Sequence, residues 1–254
     1  MTVSIDTDWL VGPTRLRLRH DEIHLWRGSV SGTDLNHLLA TLSDDERRRA
    51  GRYHRPGDRD RFIAGRGLLR TTLARYIGRP ARDLRFGAGP YGKPVLAGEV
   101  VDQPSFSLAH SGDLVIVGII QGREIGVDVE RVLSAGDEDD VAAIVFSSRE
   151  RVTLASLPSA ERSLSFYTGW VRKEACAKVS GYGLRSSLAE IEVLLGNLST
   201  PATVTLPDPA RARVVVQGLM PAAGYVAAVA CEAERGPFPI CRLWAADIAA
   251  PPED

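Results

Sequence analysis

The sequence predicts an α+β protein made of two similar lobes, and two observations lead to that prediction. The first is the order of elements, because a strand, a capped helix and a longer helix occur early in the chain and return in the same order later. The second is a shift of 104 positions that pairs Ser43 with Ser147 and Glu46 with Glu150. Identities at a chosen offset are weak alone, but their agreement with the element order favours a duplicated lobe.

Each predicted element rests on a local pattern. In the first half, Glu22 to Trp26 alternates as a strand does, and Ser43-Asp44-Asp45-Glu46 is a capping box that starts a helix. The apolar spacing from Arg59 to Tyr76 predicts a helix with one buried face. A hairpin that turns at Gly112 follows, with strands at residues 106–109 and 114–120, and a further strand is predicted at residues 125–130.

The second half repeats these patterns. Ser147-Ser148-Arg149-Glu150 is another capping box, and a helix through residues 170–178 follows it. Three later runs read as strands, at residues 213–217, 224–231 and 240–244. We therefore place a lobe junction near residue 122. The predicted domains are an N-terminal lobe, a C-terminal lobe and a disordered tail, over residues 1–122, 123–250 and 251–254.

Composition excludes several classes of protein. The chain has 254 residues, enough for a large core, and a formal net charge of −1, which argues against general nucleic-acid or membrane-surface binding. No apolar run is long enough to span a membrane, and residues 1–10 lack the pattern of a signal peptide. Three scattered cysteines are too few for a disulfide framework or a zinc site, so we expect a cytoplasmic protein.

The helix through residues 170–178 is the stretch with the most chemical information. Glu174 and Lys178 are four residues apart and share a face with Trp170, while Gly181 and Gly183 suit the end of the helix. A solvated ion pair is the ordinary explanation for such spacing. Lysine usage favours a function, because only three of the 31 basic residues are lysines and two of them lie in this helix.

Two further carboxylates stand on one face of a strand. In Gly126-Val127-Asp128-Val129-Glu130 the valines alternate with Asp128 and Glu130. Adjacent carboxylates repel each other unless a cation neutralises them, and Mg²⁺ prefers such oxygen ligands. Glu174 could supply a third oxygen if the helix packs across this strand. An acidic, solvated strand face is the alternative explanation of this motif taken alone.

The basic residues give a more diffuse signal. Lys93 lies in a turn, with Arg85 just upstream, and Arg49 and Arg61 belong to arginine-dense helices. Solvated helix faces explain these arginines, with an anion-binding groove as the minority interpretation. His110, at the mouth of the hairpin, would by itself be a structural histidine.

Taken together, these motifs resemble the 4'-phosphopantetheinyl transferases, in particular the larger, two-lobed, surfactin-synthetase-activating (Sfp) type. The resemblance covers about Ser43 to Leu184 in the right order, and its last two motifs are the specific ones. The matching segments are Tyr91-Gly92-Lys93-Pro94, Phe106-Ser107-Leu108-Ala109-His110-Ser111-Gly112, Gly126-Val127-Asp128-Val129-Glu130 and Trp170-x-x-Lys173-Glu174-Ala175-x-x-Lys178-x-x-Gly181-x-Gly183-Leu184.

The resemblance implies an activity and an architecture. The family transfers the phosphopantetheine arm of coenzyme A to a serine of an acyl or peptidyl carrier protein and releases 3',5'-ADP. It implies two pseudo-symmetric lobes with the active site in the cleft between them, the nucleotide end of coenzyme A on the N-terminal lobe and the metal and catalytic residues on the C-terminal lobe. We also expect a monomer that binds neither nucleic acid nor membranes.

The resemblance also assigns residues. Glu174 is implied as the general base, acting on the serine either directly or through a water molecule. Lys178 is implied as the lysine beside the pyrophosphate, which stabilises charge on the leaving group. Many relatives have serine where this chain has Ala109, so a hydroxyl contact to the 3'-phosphate is in doubt. The implied Mg²⁺ ligands are Asp128, Glu130 and Glu174, and the implied contacts to the nucleotide end are Arg49, Arg61, Arg85, Lys93 and His110.

Two other functions are consistent with parts of the sequence. A catalytically inactive, coenzyme A-binding homologue would keep the fold, but the intact acidic and lysine positions argue against it. A nucleic-acid binder would use the arginines, but the balanced charge and the lack of interleaved aromatic residues disfavour it. A docking patch for the carrier protein beside the helix would include Phe166 and Tyr167, which could equally be core residues.

Overall fold

A computed structural model describes most of the chain and divides it into two compact units. The first unit holds residues 9–13, 16–87, 94–98, 103–122 and 239–246. The second unit holds residues 88–89, 92–93, 123–133, 138–181, 187–196, 198, 200–207, 211–233 and 238. Tyr91, Gly183, Leu184 and the tail at residues 251–254, all named above, lie outside the described residues.

The first unit is a five-stranded sheet with helices on it. Its helices are α1 (Leu35–Thr41), α2 (Asp44–Ala50) and α3 (Pro56–Ile77), followed by a 3₁₀ turn (Ala81–Asp83). The sheet order is β1-β11-β2-β6-β5, formed by β1 (Leu10–Val11), β11 (Ile240–Ala245), β2 (Glu22–Ser29), β6 (Leu114–Gln121) and β5 (Pro104–Ser111). A separate two-stranded ribbon pairs β3 (Phe86–Ala88) with β4 (Pro94–Leu96).

Local signals explain the elements that position the site in this unit. Ser43 caps α2 through the predicted capping box, in which Glu46 bonds back to the Ser43 main chain. Pro56 starts α3, and Gly78 ends it at φ 68°, a left-handed conformation that glycine adopts without strain. Strands β5 and β6 pair antiparallel around the turn at Gly112, so the predicted hairpin is confirmed.

The second unit is a four-stranded antiparallel sheet packed against one long helix. Its helices are α4 (Glu138–Val145), α5 (Ser148–Ser156) and α6 (Ser159–Ser180), followed by a 3₁₀ turn (Leu188–Glu190). The sheet order is β7-β10-β9-β8, formed by β7 (Ile125–Arg131), β10 (Tyr225–Glu232), β9 (Arg213–Leu219) and β8 (Ala202–Thr205). Ser147 caps α5 with the second predicted capping box.

The two units repeat one plan. Each has a strand, a capping-box helix, a 22-residue helix and a 3₁₀ turn, and later two consecutive strands, β5 and β6 in the first unit and β9 and β10 in the second. In each sheet the first strand pairs antiparallel with the last of these strands, giving β2-β6-β5 in one unit and β7-β10-β9 in the other. The predicted α+β class with two similar lobes is therefore confirmed.

The two units differ from the sequence-based domain bounds at two places. Residues 88–89 and 92–93, which include Lys93, belong to the second unit and not to the N-terminal lobe of residues 1–122. Residues 240–245 were grouped with the C-terminal lobe, but β11 lies in the sheet of the first unit, parallel to β2. Trp244 packs against Trp26, with ring centroids 6.2 Å apart, and Arg242 donates two hydrogen bonds to Glu22. None of the helices in the described ranges is both long and apolar enough to cross a membrane.

Candidate functional site

Strand β7 and helix α6 approach each other unusually closely at Gly126. A Cβ atom at this position would lie 2.0 Å from the main-chain oxygen of Ala175 and 2.9 Å from the main-chain nitrogen of Val179. The φ angle of Gly126 is not positive, so its role is to provide space rather than an unusual conformation. This contact brings the side chains of α6 next to those that follow Gly126 on β7.

The exposed stripe of α6, the side of the helix that is least buried, carries Trp170, Glu174 and Lys178, which the sequence predicted to share a face. Trp170, Glu174 and Lys178 are half-buried, whereas the residues between them, such as Val171, are buried. Gly181 ends the helix at φ 73°, as predicted. The shared face of Trp170, Glu174 and Lys178 is therefore confirmed.

Lys178 bonds to β7 rather than standing free in solvent. Its Nζ donates to Oδ1 of Asp128 at 2.7 Å and to the main-chain oxygen of Val127 at 2.9 Å. The Asp128 side chain is 10% exposed and that of Lys178 is 30% exposed, so the pair is largely shielded from water. The spacing of Glu174 and Lys178 thus serves a contact between helix and strand, and not a solvated ion pair along the helix.

The environment of this site disfavours the ionised form of two of its carboxylates, Asp128 and Glu174. Burial raises the pKa of Asp128, although Lys178 opposes this effect. Burial and then the negative charges of Asp128 and Glu130 raise the pKa of Glu174. Atom Oδ2 of Asp128 is buried and has no hydrogen-bond partner among the described residues. A cation at this place would satisfy that oxygen and relieve the repulsion, so the donor set fits a hard divalent ion.

The side chains of Asp128, Glu130 and Glu174 are not grouped as the ligands of one metal ion in this structure. Within the described ranges, no three His, Cys, Asp or Glu side chains are gathered as the ligands of one ion. Lys178 occupies one oxygen of Asp128, and mutual repulsion disfavours a closer approach of Asp128, Glu130 and Glu174. The shared Mg²⁺ site therefore stays a prediction.

Lys93 also bonds to the edge of β7. Its Nζ donates to Oε2 of Glu124 at 2.6 Å and to the main-chain oxygen of Ile125 at 3.0 Å. Its side chain is only 15% exposed. Sequence reasoning placed Lys93 at the nucleotide end of the ligand and did not single out Glu124, which has no motif of its own.

Lys173 does not belong to the site, although its position in α6 suggested a function. Its Nζ is buried and bonds to Oε2 of Glu150 at 2.7 Å and to the main-chain oxygens of Leu188 and Ile191 at 2.9 and 2.6 Å. These three acceptors satisfy all three N–H groups of an ammonium. Lys173 therefore ties the second capping-box glutamate to the turn after α6.

The first unit contains the counterpart of this structural contact. Arg70 donates to Oε2 of Glu46 at 2.6 Å and to the main-chain oxygens of Ala81 and Leu84 at 2.7 and 3.1 Å. Arg66 binds the other oxygen of Glu46 at 2.6 Å. A capping-box glutamate, a buried cation and the carbonyls of a 3₁₀ turn thus recur in both units, which supports a structural role for Lys173.

Three of the predicted nucleotide contacts lie around the N-terminal half of α3. A Cβ on Gly65 would be 3.7 Å from Cδ2 of His110, so this ring lies against α3. Arg61 precedes Gly65 by one turn and pairs with Asp58. The guanidinium of exposed Arg49 lies 5.2 Å from the ring centre of Phe62. The structure therefore brings Arg49, Arg61 and His110 to one region of the first unit.

Arg85 and Ala109 are placed differently. Exposed Arg85 lies between the 3₁₀ turn and β3. Burial lowers the pKa of Arg70 on α3, and the charge of Arg85 adds to this effect. Ala109 is 5% exposed and alternates with exposed His110 along β5, so the two side chains point to opposite faces of the sheet.

The suggested docking patch is wrong for Phe166. This side chain is 5% exposed and packs edge-on against Phe146, with ring centroids 5.5 Å apart. Tyr167 is half-buried on the exposed stripe of α6. Phe166 is thus a core residue, which was the alternative left open for both aromatic residues.

Comparisons with known proteins match both units. Residues 124–230 match the family described as the 4'-phosphopantetheinyl transferase superfamily, and residues 25–120 match the family described as 4'-phosphopantetheinyl transferase, N-terminal. The chain is 38% identical over 190 residues to 4'-phosphopantetheinyl transferase HetI of Nostoc sp., an alignment that covers 74% of this chain and 80% of HetI.

Two more distant relatives are also named as phosphopantetheinyl transferases. Over 181 residues the chain is 28% identical to 4'-phosphopantetheinyl transferase Sfp of Bacillus subtilis, covering 70% of this chain and 77% of Sfp. Over 173 residues it is 26% identical to the L-aminoadipate-semialdehyde dehydrogenase-phosphopantetheinyl transferase of Homo sapiens, covering 64% of this chain and 56% of the human protein.

Proposed function

The chain belongs to the 4'-phosphopantetheinyl transferase superfamily, and we therefore propose that it transfers the 4'-phosphopantetheine arm of coenzyme A to a serine of an apo carrier protein. The serine oxygen forms a bond to the phosphorus of the phosphopantetheine arm and gives up its proton. The bond between that phosphorus and the bridging oxygen breaks, and the bridging oxygen leaves with 3',5'-ADP. The observation that carries the proposal is the contact of Lys178 with Asp128, beside a Glu174 whose pKa is raised by burial and then by its acidic neighbours.

Asp128, Glu130 and Glu174 are the residues that would hold Mg²⁺. The buried, partnerless Oδ2 of Asp128 and the repulsion felt by Glu174 support this choice. When bound, the ion supplies charge neutralisation at the phosphate oxygens, which phosphoryl transfer requires. Asp128 is held by Lys178, so this lysine orients the carboxylate as well as lying near the transferred phosphate.

Glu174 is the group that takes the proton of the attacking serine hydroxyl. A general base acts best when its pKa lies near the working pH. Burial and the charges of Asp128 and Glu130 move the pKa of Glu174 upward, which makes it a stronger base than an exposed glutamate. A bound cation would act in the opposite direction, because it would neutralise the charges of Asp128 and Glu130 and favour the ionised form of Glu174.

Lys178 stabilises the negative charge that develops on the leaving phosphate. Its two hydrogen bonds, to Asp128 and to the main chain of Val127, use two of its three N–H groups. The third can donate to a phosphate oxygen without breaking either bond. Because these bonds fix the ammonium in advance, little reorganisation is needed when charge builds up.

The nucleotide end of coenzyme A binds the basic residues. Arg49, Arg61 and His110 lie in one region of the first unit, and Arg85 and Lys93 complete the proposed set. A 3'-phosphate offers the charge and the acceptors that guanidinium groups bind in pairs. Since Ala109 has no hydroxyl, the arginines and His110 carry this end of the ligand.

The proposed partners are acyl or peptidyl carrier proteins. We also propose a cytoplasmic, monomeric enzyme without nucleic-acid or membrane partners. An inactive homologue that only binds coenzyme A is the alternative outcome of the test below.

The decisive experiment is transfer to purified apo carrier proteins. The protein is incubated with coenzyme A, Mg²⁺ and apo carriers of the fatty-acid, polyketide and nonribosomal-peptide types, and each carrier is examined by intact-protein mass spectrometry. A mass increase equal to the phosphopantetheine arm, lost when the carrier serine is replaced by alanine, is expected for at least one carrier. Binding of coenzyme A without modification of any carrier would instead support the inactive homologue.

A further inference from the structure

The three lysines of the chain differ in how fully the protein uses their donors. Lys173 has three acceptors and no donor left, as described above. Lys93 and Lys178 each have one carboxylate and one main-chain oxygen of β7, among the described residues. Each of these two ammonium groups therefore keeps one N–H for a ligand.

Lys93 and Lys178 bind neighbouring positions on one edge of β7. The main-chain oxygens of Ile125 and Val127 are two residues apart, so they point to the same side of the strand, roughly 7 Å from each other. In the order of the four-stranded sheet β7 is an edge strand, which leaves that side open to the lysines. The ligand-ready donors of both lysines thus lie along the same strand edge.

The two lysines differ in the carboxylate that neutralises them. Asp128 is buried, and a cation bound to it would leave Lys178 available for a phosphate. Glu124, the partner of Lys93, has a side chain that is 46% exposed. It can turn into solvent and recover its hydration, whereas Lys93 is 15% exposed and held by the main chain of Ile125.

From this arrangement we propose that Glu124 competes with the phosphate of coenzyme A for Lys93 and so lowers the affinity of the enzyme for its substrate. The inference rests on the proposed function, because it takes coenzyme A as the ligand of Lys93. Glu124 neutralises the ammonium in the free protein, and it must release Lys93 when the anionic ligand binds. Glu124 thereby sets the affinity without itself contacting the ligand.

Replacing Glu124 by glutamine isolates this competition. The Glu124→Gln amide oxygen can still accept a hydrogen bond from Lys93, but the opposing charge is gone. An exposed ion pair is worth a factor of roughly two to five in an equilibrium constant. We therefore expect the Kd of coenzyme A, measured by calorimetry on the full chain with Mg²⁺, to fall by about two- to fivefold.

Glu232→Gln is a matched control for this variant. Glu232 accepts a hydrogen bond from the main-chain nitrogen of Glu124 at 3.1 Å. The Glu232→Gln substitution therefore removes a charge from the same region without changing a partner of Lys93. Its Kd should equal that of the unmodified protein. In a Lys93→Ala background, which by itself should weaken binding, adding Glu124→Gln should have no further effect.

Several results would overturn the inference. These are an unchanged or higher Kd in Glu124→Gln, an equal gain in Glu232→Gln, or a gain that persists without Lys93. Failure of the proposed function would give a different result. The unmodified protein would then bind coenzyme A but modify no carrier, and the Kd values of the variants would still test the role of Glu124. A protein that binds no coenzyme A would overturn both.

Discussion

Replacing Gly126 by alanine should lower the rate of catalysis strongly while the protein stays folded. The added Cβ would lie 2.0 Å from the main-chain oxygen of Ala175, whereas an unstrained carbon–oxygen contact is about 3.3 Å. Because the obstacle is main chain on α6, no side chain can turn away. Strand and helix must separate by more than about 1 Å, which moves Glu174 and Lys178 away from Asp128.

The expected magnitude follows from this displacement. A misplacement of about 1 Å costs on the order of 100-fold in turnover when it separates catalytic groups, which is about 2.7 kcal/mol in the barrier. Overpacking of this kind costs roughly 1–3 kcal/mol in the free energy of unfolding. The assay is kcat for modification of an apo carrier, together with circular dichroism and a thermal melt to show that the variant is folded.

Gly169→Ala is the matched control. Its Cβ would lie 2.5 Å from Cδ2 of Leu195 and 2.6 Å from Cε1 of Phe146, so it overpacks α6 against side chains away from β7. It should lower the free energy of unfolding by a similar amount and reduce kcat far less. A folded Gly126→Ala protein with kcat within about fivefold of the unmodified enzyme would refute the reasoning, because the separation of β7 and α6 would then not govern the chemistry.

Four further predictions concern other parts of the molecule. Glu174→Gln should abolish transfer but leave the Kd of coenzyme A within about threefold, since it removes the base and keeps the shape; transfer near the original rate would exclude Glu174 as the base. Arg61→Ala should raise KM for coenzyme A more than for dephospho-coenzyme A, and equal effects would show that Arg61 does not bind the 3'-phosphate. Lys173→Met should lower the free energy of unfolding in urea by about 3–5 kcal/mol, because Glu150 is left buried without a cation, and should not change KM; a change in KM at unaltered stability would contradict its structural role. Burial alone would raise the pKa of Glu46, but Arg66 and the other partners outweigh burial and lower it in the folded protein. Glu46 therefore stabilises the fold above its unfolded pKa, and this contribution is lost as the pH falls through its folded pKa. Glu46→Gln should reduce the dependence of the free energy of unfolding on pH in this acid range, and an unchanged dependence would contradict the assignment.

The elements with local signals could be predicted from the sequence. Both capping boxes, at Ser43 and Ser147, lie where their side chains and glutamates indicated, and the hairpin around Gly112 formed as expected. These patterns depend on neighbours within a few residues, so no tertiary information is needed. Helices α1 and α4 were not predicted, because each is short and has a weaker pattern.

The role of each lysine could be predicted only in part. Because lysine is rare in this chain, the sequence suggested a function for both Lys173 and Lys178, but the two side chains lie on different sides of α6. Lys178 continues the stripe of Trp170 and Glu174, whereas Lys173 falls in line with buried Gly169 and Phe166. Helical position could therefore have separated the structural lysine, Lys173, from Lys178, for which we propose a catalytic role.

The partners of these groups could not be read from the sequence. Glu124 has no motif, and its contact with Lys93 joins residues 31 positions apart. Likewise, a glycine before Asp128 is compatible with a turn, a bulge or a close approach. Only the packing of α6 shows that Gly126 provides space for a main-chain oxygen.

The position of β11 has a consequence for how the chain must fold. The central strand β2 has β6 on one side, but its other side is completed by residues 240–245, more than 200 positions later. During synthesis on the ribosome, the β2 edge therefore stays open until nearly all of the described chain has emerged. A fragment ending at residue 122 would expose that edge to pairing between molecules, so it should precipitate unless a peptide spanning residues 238–246 is supplied.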